Sequence, residues 1–240
     1  MEKFVKKKAP KITTDLRRDY IELPEIIRKV SGIVINGKRI RSLIFTTDIA
    51  IIMNNDADAV IAVYPFTPHP AIINGITTVA SIPVVAGVGG GLTHGHRSSN
   101  IALFAEAHGC IGVVLNSPTP LSTIKEVNET VDVPIILTVV SEFTDIQEKI
   151  DAGVDIVNIS GAANTANIVR EVREAFPDLP IIATGGPTVE SIKATIEAGA
   201  NAITYTPPSN GELFSKKMKI YRKQEQQYAE QQDEENSLQS

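Results

Sequence analysis

The residues of this sequence best suited to acid–base chemistry lie in one glycine-rich stretch, Gly87–Arg97, which contains His94, His96 and Arg97. Its glycines are typical either of a mobile lid or of a backbone that approaches a ligand closely. We predict that His94 or His96 acts as a general acid–base catalyst and that Arg97 holds an anionic group. The alternative is a flexible surface loop whose histidines are solvated.

The same stretch gives little support for a bound cofactor. The spacing of His94 and His96 could supply two metal ligands, but without nearby carboxylates it is a weak metal signal. The glycines lack the G-x-G-x-x-G spacing of a dinucleotide fingerprint, and Asn116 occupies the place of the acidic residue expected after the next strand. We therefore predict no metal and no cofactor, with FMN or a divalent metal as alternatives.

Carboxylates and amides at the ends of apolar runs give a second group of candidates. Asp48 and Glu142 are candidate acid–base residues, but either could instead cap a helix or stay solvated. Asn116 and Asn158 are candidates to orient a substrate hydroxyl, and the alternative is that they bond to neighbouring loops. These four residues complete the predicted acid–base and orienting groups.

Three glycines and a serine predict binding of phosphate or another oxyanion. Gly185 and Gly186 let the backbone approach an oxyanion, and Ser209 stands at a predicted helix start, where free amides carry partial positive charge. Gly161, after another apolar run, belongs to the same predicted substrate-binding set. The alternatives are a tight turn at the glycine pair and a capping box in which Ser209 and Glu212 satisfy the amides themselves.

These candidates follow short apolar runs, which alternate with helical patterns along the chain. Continuous apolar runs, rather than alternating ones, are typical of strands covered on both faces, as in parallel sheets. The predicted strands are residues 42–46, 59–63, 84–87, 111–115, 135–138, 156–159, 181–183 and 202–205. They predict an α/β fold, a single (β/α)8 TIM barrel, with a doubly wound sheet as the alternative. In a TIM barrel, function collects at the carboxyl ends of the strands.

An internal repeat supports the barrel. Prolines open the third, fifth and seventh strands, where no ladder N–H is lost, and glycines end the helices before the fourth, sixth and eighth, where positive φ is needed. These residues are Pro83, Pro134 and Pro180, and Gly109, Gly153 and Gly199. A repeat of about 45–50 residues could also indicate a solenoid, but its strand and helix content suits a barrel.

The two ends of the chain have a different character. Residues 1–14 are predicted to form a flexible basic arm, residues 15–228 the barrel domain, and residues 229–240 a disordered polar tail. Helical spacing over residues 15–30 predicts an N-terminal helix before the first strand. Residues 212–228 can form a C-terminal helix that leads into the tail.

The composition narrows the class of protein. The net charge of −5 argues against a large nucleic-acid footprint. No apolar run reaches the roughly 18–20 residues that a bilayer span needs. The basic start of the chain lacks the apolar segment of a signal peptide, and the single cysteine, Cys110, suits a reducing cytosol. We predict a cytoplasmic protein without membrane or nucleic-acid partners, and a homo-oligomer stays open.

The segment Pro180–Pro187 reads Pro-Ile-Ile-Ala-Thr-Gly-Gly-Pro, and Glu-Ala-Gly-Ala-Asn-Ala-Ile follows from Glu197. This passage resembles the seventh and eighth strands of the phosphate-binding (β/α)8 barrels, the superfamily of ribulose-phosphate epimerase and indole-glycerol-phosphate synthase. The resemblance implies phosphate contacts at Gly185, Gly186 and Ser209. It does not extend to a reaction, because the paired histidines and aspartates of the epimerase and the strand-end lysines of the synthase are absent.

The function expected from these patterns is that of a barrel enzyme acting on a small phosphorylated metabolite by lyase- or isomerase-type acid–base chemistry. The predicted strand ends carry many hydroxyl residues and no lysine, so Schiff-base aldolase chemistry is not expected. One alternative is a non-catalytic barrel that senses such a ligand and acts on RNA or protein, because the same passage resembles glycerol-uptake antiterminator barrels. The other is a flavin-binding oxidoreductase barrel, which the passage also resembles.

Overall fold

A tight β-hairpin precedes the first strand of the barrel. In this computed structural model, β1 (Ile33–Ile35) and β2 (Lys38–Ile40) pair in antiparallel orientation. Asn36 and Gly37 form the turn with φ values of 48° and 78°. Two consecutive positive φ values are what a type I′ turn requires, and the Asn-Gly pair meets that requirement at low cost.

Eight parallel strands close into the predicted barrel. Each strand pairs with the next one along the chain, and the last pairs with the first. The barrel strands are β3 (Ser42–Phe45), β4 (Ala59–Ala62), β5 (Val84–Gly89), β6 (Gly112–Leu115), β7 (Ile135–Val139), β8 (Ile156–Ile159), β9 (Ile181–Thr184) and β10 (Ala202–Tyr205). The predicted TIM barrel is confirmed. The structure describes residues 9–238, and side chains as far as residue 232.

Two apolar layers hold the barrel together. Inside it, strand side chains meet at the amino end, where Ile35 and Ile40 of the hairpin pack against them and close that end. A larger layer lies between the outer face of the strands and the helices, and includes Ile27, Leu115 and Val157. Both faces of each strand are therefore apolar, which explains the continuous apolar runs.

Helices follow the strands and cover the outside of the barrel. They are α1 (Ile49–Met53), α2 (Pro70–Val79), α3 (His96–Ala107), α4 (Leu121–Asn128), α5 (Ile146–Asp151), α6 (Thr165–Ala175), α7 (Val189–Glu197) and α8 (Asn210–Leu238). Two short 3₁₀ helices occur at Glu25–Lys29 and Ala162–Asn164. Across residues 9–238, none of the helices has both the length and the apolarity that crossing a bilayer requires.

The prolines and glycines of the repeat lie where the sequence predicts them. The proline carbonyls accept hydrogen bonds from the preceding strand at 2.8, 3.0 and 3.1 Å, although proline itself has no N–H to give. The glycines that follow helices have φ values of 83°, 111° and 106°. The residues are Pro83, Pro134 and Pro180, and Gly109, Gly153 and Gly199.

The N-terminal helix is much shorter than predicted. Within residues 15–30 only Glu25–Lys29 is helical, as a single 3₁₀ segment. Pro24 stands directly before it, and proline disfavours the helical region for the residue that precedes it, so the helix begins after Pro24. Leu16 is 96% exposed whereas Ile27 is buried, so the apolar residues of this segment do not share one helix face.

The ends of the chain are described to different extents. Residues 9–14 are exposed and carry no helix or strand, whereas Lys3, Lys6, Lys7 and Lys8 of the predicted basic arm lie outside the described residues. Helix α8 continues without a break to Leu238, so no helix end marks the predicted boundary at residue 228. The side chains of residues 221–232 are exposed, and a disordered tail stays a prediction.

Candidate functional site

A cavity of about 190 Å³ opens at the carboxyl end of the barrel, and we call it the mouth cavity. Its walls consist of residues at or just beyond the ends of the strands. They are Phe45, Ile61, Val63, Asn116, Thr138, Asn158, Ser160, Thr184, Thr204 and Thr206. Of the predicted site residues, Asn116 and Asn158 are among them. The mouth cavity therefore lies where function in this fold is expected, but it is lined mostly by residues that the sequence did not single out.

The mouth cavity has a polar side and an apolar side. Four neighbouring strands, β7 to β10, form the polar side, and their registers place Thr138 beside Asn158 and Thr184 beside Thr204. Asn158 Nδ2 donates to Thr138 Oγ1 at 3.4 Å, and Thr184 Oγ1 donates to Ser160 Oγ at 3.2 Å. The opposite side, which comes from β3 and β4, is apolar.

Two buried polar atoms of the mouth cavity have no hydrogen-bond partner among the described residues. They are Asn158 Oδ1 and Thr204 Oγ1, on residues that are 6% and 4% exposed. Buried polar side chains are normally paired, and an unpaired one costs about 1–3 kcal/mol. Turning the Asn158 amide round would pair Oδ1 with Thr138 and leave Nδ2 unpaired instead. Either orientation leaves polar groups available to a ligand in this cavity.

A larger groove of about 740 Å³ adjoins the mouth cavity, and Thr184 and Thr206 line both spaces. The groove lies between the ends of β9 and β10 and the first turns of α8. Among the described residues, Lys216 and Lys219 are its only basic lining residues and Glu212 its only acidic one. We call this space the lysine groove, and its basic residues make it the part of the site suited to an anion.

The predicted phosphate-binding glycines lie beside the lysine groove. Gly185 N–H donates to the Thr204 carbonyl at 3.1 Å, so this amide is used within the barrel. Gly186 lines the groove, and its N–H makes no hydrogen bond in the described part of the chain. Its φ is 77°, and a Cβ there would lie 2.6 Å from Ser191 Oγ, so glycine is needed for the loop to pack on α7. Phosphate contact at both glycines stays a prediction.

At Ser209 the structure has the capping box that the sequence offered as the alternative. The Glu212 carboxylate accepts hydrogen bonds from the Ser209 N–H and hydroxyl at 2.8 and 2.7 Å, and Ser209 Oγ accepts from the Glu212 N–H at 3.2 Å. These bonds from Ser209 stabilise the charged carboxylate and hold the pKa of Glu212 below its usual range. A phosphate at Ser209 would therefore have to displace Glu212.

The glycine-rich stretch is ordered as strand and turn. Strand β5 continues to Gly89, and Gly90 and Thr93 then exchange two backbone hydrogen bonds at 3.0 and 3.2 Å. A Cβ at Gly89 would lie 2.2 Å from Ser98 Oγ, and one at Gly90 would lie 2.5 Å from Asn116 Cβ. The close approach that the glycines predict is thus made to the protein's own side chains.

The predicted catalytic histidines and Arg97 are exposed and do not line the mouth cavity or the lysine groove. His96 begins α3, and its Nδ1 pairs with the Glu126 carboxylate, which also accepts a hydrogen bond from Ser99 Oγ at 2.9 Å. The side chains of His94 and Arg97 make no hydrogen bond or ion pair with the described residues. A catalytic role for either histidine requires the loop to move over a bound ligand.

Neither predicted catalytic carboxylate reaches the mouth cavity. Asp48 Oδ1 accepts hydrogen bonds from the N–H groups of Ala50 and Ile51 at 2.8 and 3.3 Å, so Asp48 caps α1. Glu142 is exposed and accepts from Asn164 Nδ2 at 3.4 Å. The alternative of a helix cap is the one observed for Asp48, and acid–base roles for both residues stay predictions.

Sequence reasoning missed most of the polar wall. Gly161, predicted to bind substrate, donates its N–H to Thr165 Oγ1 at 3.0 Å and does not line the mouth cavity. The cavity is lined instead by hydroxyl residues of the last four strands, Thr138, Ser160, Thr184, Thr204 and Thr206. The abundance of hydroxyls at the strand ends was visible in the sequence, but which of them point inward depends on strand register.

The residues of the site do not fit a divalent metal. No group of three or more His, Cys, Asp or Glu side chains lies together within the described residues. The mouth cavity offers neutral hydroxyl and amide groups, whereas hard divalent cations are held mainly through carboxylates. The described residues of the mouth cavity therefore offer no set of ligands for a divalent cation.

Comparison with known proteins identifies the fold. No protein-family model matches this chain, and no curated protein matches it in sequence. Among solved structures, 2,3-dimethylmalate lyase, a PEP mutase/isocitrate lyase superfamily member, has a TM-score of 0.61 at 14% identity, covering 90% of this chain and 86% of that one. A phosphonopyruvate hydrolase in complex with oxalate and Mg++ has a TM-score of 0.60 at 12% identity, covering 80% of this chain and 84% of that one. A mandelate oxidase variant with an FMN adduct has a TM-score of 0.57 at 15% identity, covering 74% of this chain and 68% of that one.

These similarities show the fold alone, because the identities are between 12% and 15%. They agree with the sequence resemblance at the level of the TIM barrel. The neighbours differ among themselves in what they act on and bind, which is usual for this fold. Function therefore has to be argued from the mouth cavity and the lysine groove.

Proposed function

We propose that this protein is a cytosolic barrel enzyme that binds a small phosphorylated metabolite at the carboxyl end of the barrel. The phosphate lies in the lysine groove and the rest of the ligand in the mouth cavity. The observation that carries this proposal is the continuity of the two spaces at Thr184 and Thr206, with basic residues in one and unpaired polar atoms in the other. An occupant with one anionic end and one polar end matches this arrangement.

Lys216 and Lys219 supply the positive charge of the proposed phosphate site. They are three residues apart on α8, which puts them on the same side of the helix, and both line the groove. The free N–H of Gly186 can donate to a phosphate oxygen in the same space. Glu212 opposes an anion there, but its carboxylate is already bound by Ser209, so its charge is partly offset.

The reaction proposed is a lyase- or isomerase-type proton transfer in which His94 is the acid–base residue. His94 lies in the loop after β5 at the carboxyl end of the barrel, and within the described residues it is not held by a carboxylate as His96 is. Loop closure of this kind completes the active site in many barrel enzymes. The occurrence of a lyase and a hydrolase among the structural neighbours supports enzyme chemistry in this fold.

A second candidate is a non-catalytic barrel that senses the same kind of ligand. It is favoured by the neutral lining of the mouth cavity, since no described residue there is an acid or base that titrates near neutral pH. General acid–base catalysis needs such a group within reach of the reacting atom. The two candidates share one binding site and differ in whether His94 reaches the ligand.

The phosphate site is tested by thermal unfolding with inorganic phosphate, several sugar phosphates and FMN. A ligand at about 100 times its dissociation constant should stabilise the protein by about 2.7 kcal/mol, a shift of about 5–10 °C for a chain of this size. Lys216→Gln combined with Lys219→Gln should remove most of this shift. Lys223→Gln, on the exposed part of the same helix, is the control and should keep it. No shift with any phosphate compound would end the proposal, and a shift with FMN alone would favour a flavin barrel.

Catalysis is separated from sensing by His94→Gln and His96→Gln. For an enzyme, His94→Gln should lower turnover at least about 100-fold, the usual contribution of a general acid–base group, while binding is kept. His96→Gln is the matched control on the same loop and should change turnover little. A protein that binds the ligand without any turnover would fit the sensor instead.

A further inference from the structure

We infer that the part of the ligand held in the mouth cavity is an uncharged, hydroxyl-bearing group, as in a polyol or a sugar. This inference rests on the proposed function for the position of the phosphate, and it adds the chemistry of the other end. It depends on three properties of the cavity, which are its charge, the directions of its hydrogen bonds and its apolar wall.

The charge of the cavity is unsuited to a second anion. Its lining residues are four threonines, two asparagines, one serine and three apolar residues, none of them a cation. Lys216 and Lys219 line the adjoining groove and do not line the cavity. Burying a carboxylate without a cation or a dense set of donors is strongly unfavourable. A ligand that carried a carboxylate into the mouth would therefore bind poorly.

The hydrogen-bonding groups of the cavity include both donors and acceptors, so they fit a ligand group that can both accept and donate hydrogen bonds. Asn158 Oδ1 is an unpaired acceptor, and Thr204 Oγ1 is an unpaired hydroxyl. Thr138 and Ser160 each accept a bond from a neighbouring side chain, which leaves their own O–H groups as donors. A ligand hydroxyl can accept from these donors and can pair with Asn158 in either orientation of its amide, whereas an ionised carboxylate can only accept and leaves Asn158 Oδ1 unpaired in the orientation described.

The size and the apolar wall of the cavity also fit a small hydroxyl-bearing group. A volume of about 190 Å³ is below the usual 300–1,000 Å³ of drug-sized ligand sites, so the group held there is small. Phe45, Ile61 and Val63 lie on the side opposite the polar strands. The C–H face of a short polyol chain or a small sugar would pack on that side while its hydroxyls meet the polar wall.

This chemistry differs from that of one structural neighbour. The phosphonopyruvate hydrolase structure contains oxalate, which carries two carboxylates, together with Mg++. The mouth cavity described here has no carboxylate to hold such an ion and no cation to hold the acid. A shared fold therefore does not imply a shared class of ligand.

The test compares the binding of glycerol phosphate and phosphoglycerate by titration calorimetry. At the end away from the phosphate, glycerol phosphate carries an alcohol and phosphoglycerate carries a carboxylate. Inorganic phosphate and glycerol alone are the other two probes, and each titration is repeated with Mg²⁺. Glycerol phosphate should bind at least about tenfold more tightly than phosphoglycerate. Equal or tighter binding of phosphoglycerate, with or without Mg²⁺, would overturn the inference and leave the proposed phosphate site intact.

Thr204→Val tests the cavity itself, because it removes the unpaired hydroxyl while keeping the shape of the side chain. It should weaken glycerol phosphate about three- to tenfold, the range for one hydrogen bond, and leave inorganic phosphate unchanged. Thr195→Val is the control, since Thr195 is equally buried but its hydroxyl donates to the Ser191 carbonyl outside the cavity. Unchanged glycerol phosphate binding in Thr204→Val would overturn the inference. Binding of glycerol without any phosphate response would uphold it and refute the proposed function.

Discussion

Asp48 shows why a single polar residue could not be assigned from the sequence. A carboxylate between a strand and a helix fits an active-site acid and a helix N-cap equally well. The structure has the cap, because Asp48 Oδ1 accepts hydrogen bonds from two amides of the first turn of α1. The same ambiguity applies to the start of α8. There the Glu212 carboxylate accepts hydrogen bonds from the Ser209 N–H and hydroxyl, which could otherwise bind an oxyanion.

We expect Asp48→Ala to lower the free energy of unfolding by about 1 kcal/mol and Asp48→Asn to lower it much less, because asparagine caps a helix nearly as well as aspartate. Chemical denaturation of the three proteins measures the difference. Equal losses in the two variants would show that the charge of Asp48 matters more than its capping oxygen. Once a substrate is known, loss of turnover in Asp48→Asn would support its predicted acid–base role.

Cys110 gives a prediction that depends on pH. Burial raises the pKa of its thiol from 9.0 to about 12, because the thiolate is poorly solvated there. The unfolded thiol has the lower pKa, so this contribution to stability is complete below about pH 9 and is lost as the pH rises towards 12. We expect a thiol reagent at pH 8 to label the protein quickly in denaturant and hardly at all in its native state. Labelling of both states at similar rates would contradict the buried position.

At the scale of elements, the loop after β5 is held by close packing. Gly90 has a φ of 108°, and its missing Cβ leaves room for Asn116 of the neighbouring strand end. Gly91, the next residue, has a φ of 62°, but a Cβ added there would meet no atom within 4 Å. The two glycines therefore differ in two respects, because Gly90 lies outside the left-handed helical region and has no room for a Cβ, whereas Gly91 lies within that region and has room.

We expect Gly91→Ala to cost about 1–2 kcal/mol, the penalty for a left-handed backbone. Gly90→Ala should cost about 2 kcal/mol more, because a φ of 108° is less favourable for alanine and the added Cβ would lie 2.5 Å from Asn116 Cβ and force that strand end to shift. Denaturant unfolding of both variants checks the ranking. Equal costs would mean that the loop relaxes around Gly90, whereas the expected ranking would fix the base of the loop and leave only the exposed segment around His94 to move.

At the scale of the whole molecule, the hairpin of β1 and β2 closes the amino end of the barrel and leaves the carboxyl end for the site. Helix α8 forms one wall of the lysine groove and then extends with exposed side chains to residue 232. Phe214, Tyr221 and Tyr228 recur along it every seven residues and are 65%, 52% and 62% exposed. The homo-oligomer left open by the sequence stays a prediction that sedimentation of the purified chain would test.

The hairpin should contribute to the stability of the entire barrel. Ile40 is 3% exposed and packs inside the amino end, so Ile40→Ala should cost about 2–4 kcal/mol in cooperative unfolding. Val34, 60% exposed on the same hairpin, is the matched control, and Val34→Ala should change stability by less than about 0.5 kcal/mol. If Ile40→Ala unfolded at the same denaturant concentration as the control, the hairpin would be folding apart from the barrel.

The sequence by itself determined the barrel. Apolar runs, their spacing, and the prolines and glycines of the repeat are local properties, and each is used locally, as a strand start or a helix end. The prediction of an N-terminal helix over residues 15–30 was wrong in length, because Pro24 interrupts the helical spacing of its apolar residues.

Only the tertiary structure decided which polar residues share a site. A one-residue change of register turns a strand side chain from the inside of a barrel to the outside, so Thr204 and Asn158 could be placed in the mouth cavity only once the strands were paired. The lysine groove was hidden for a related reason, since Lys216 and Lys219 share a space with Thr184 only because α8 begins beside the ends of β9 and β10. Chain-local patterns specify elements, whereas a site is made by residues that are distant in sequence.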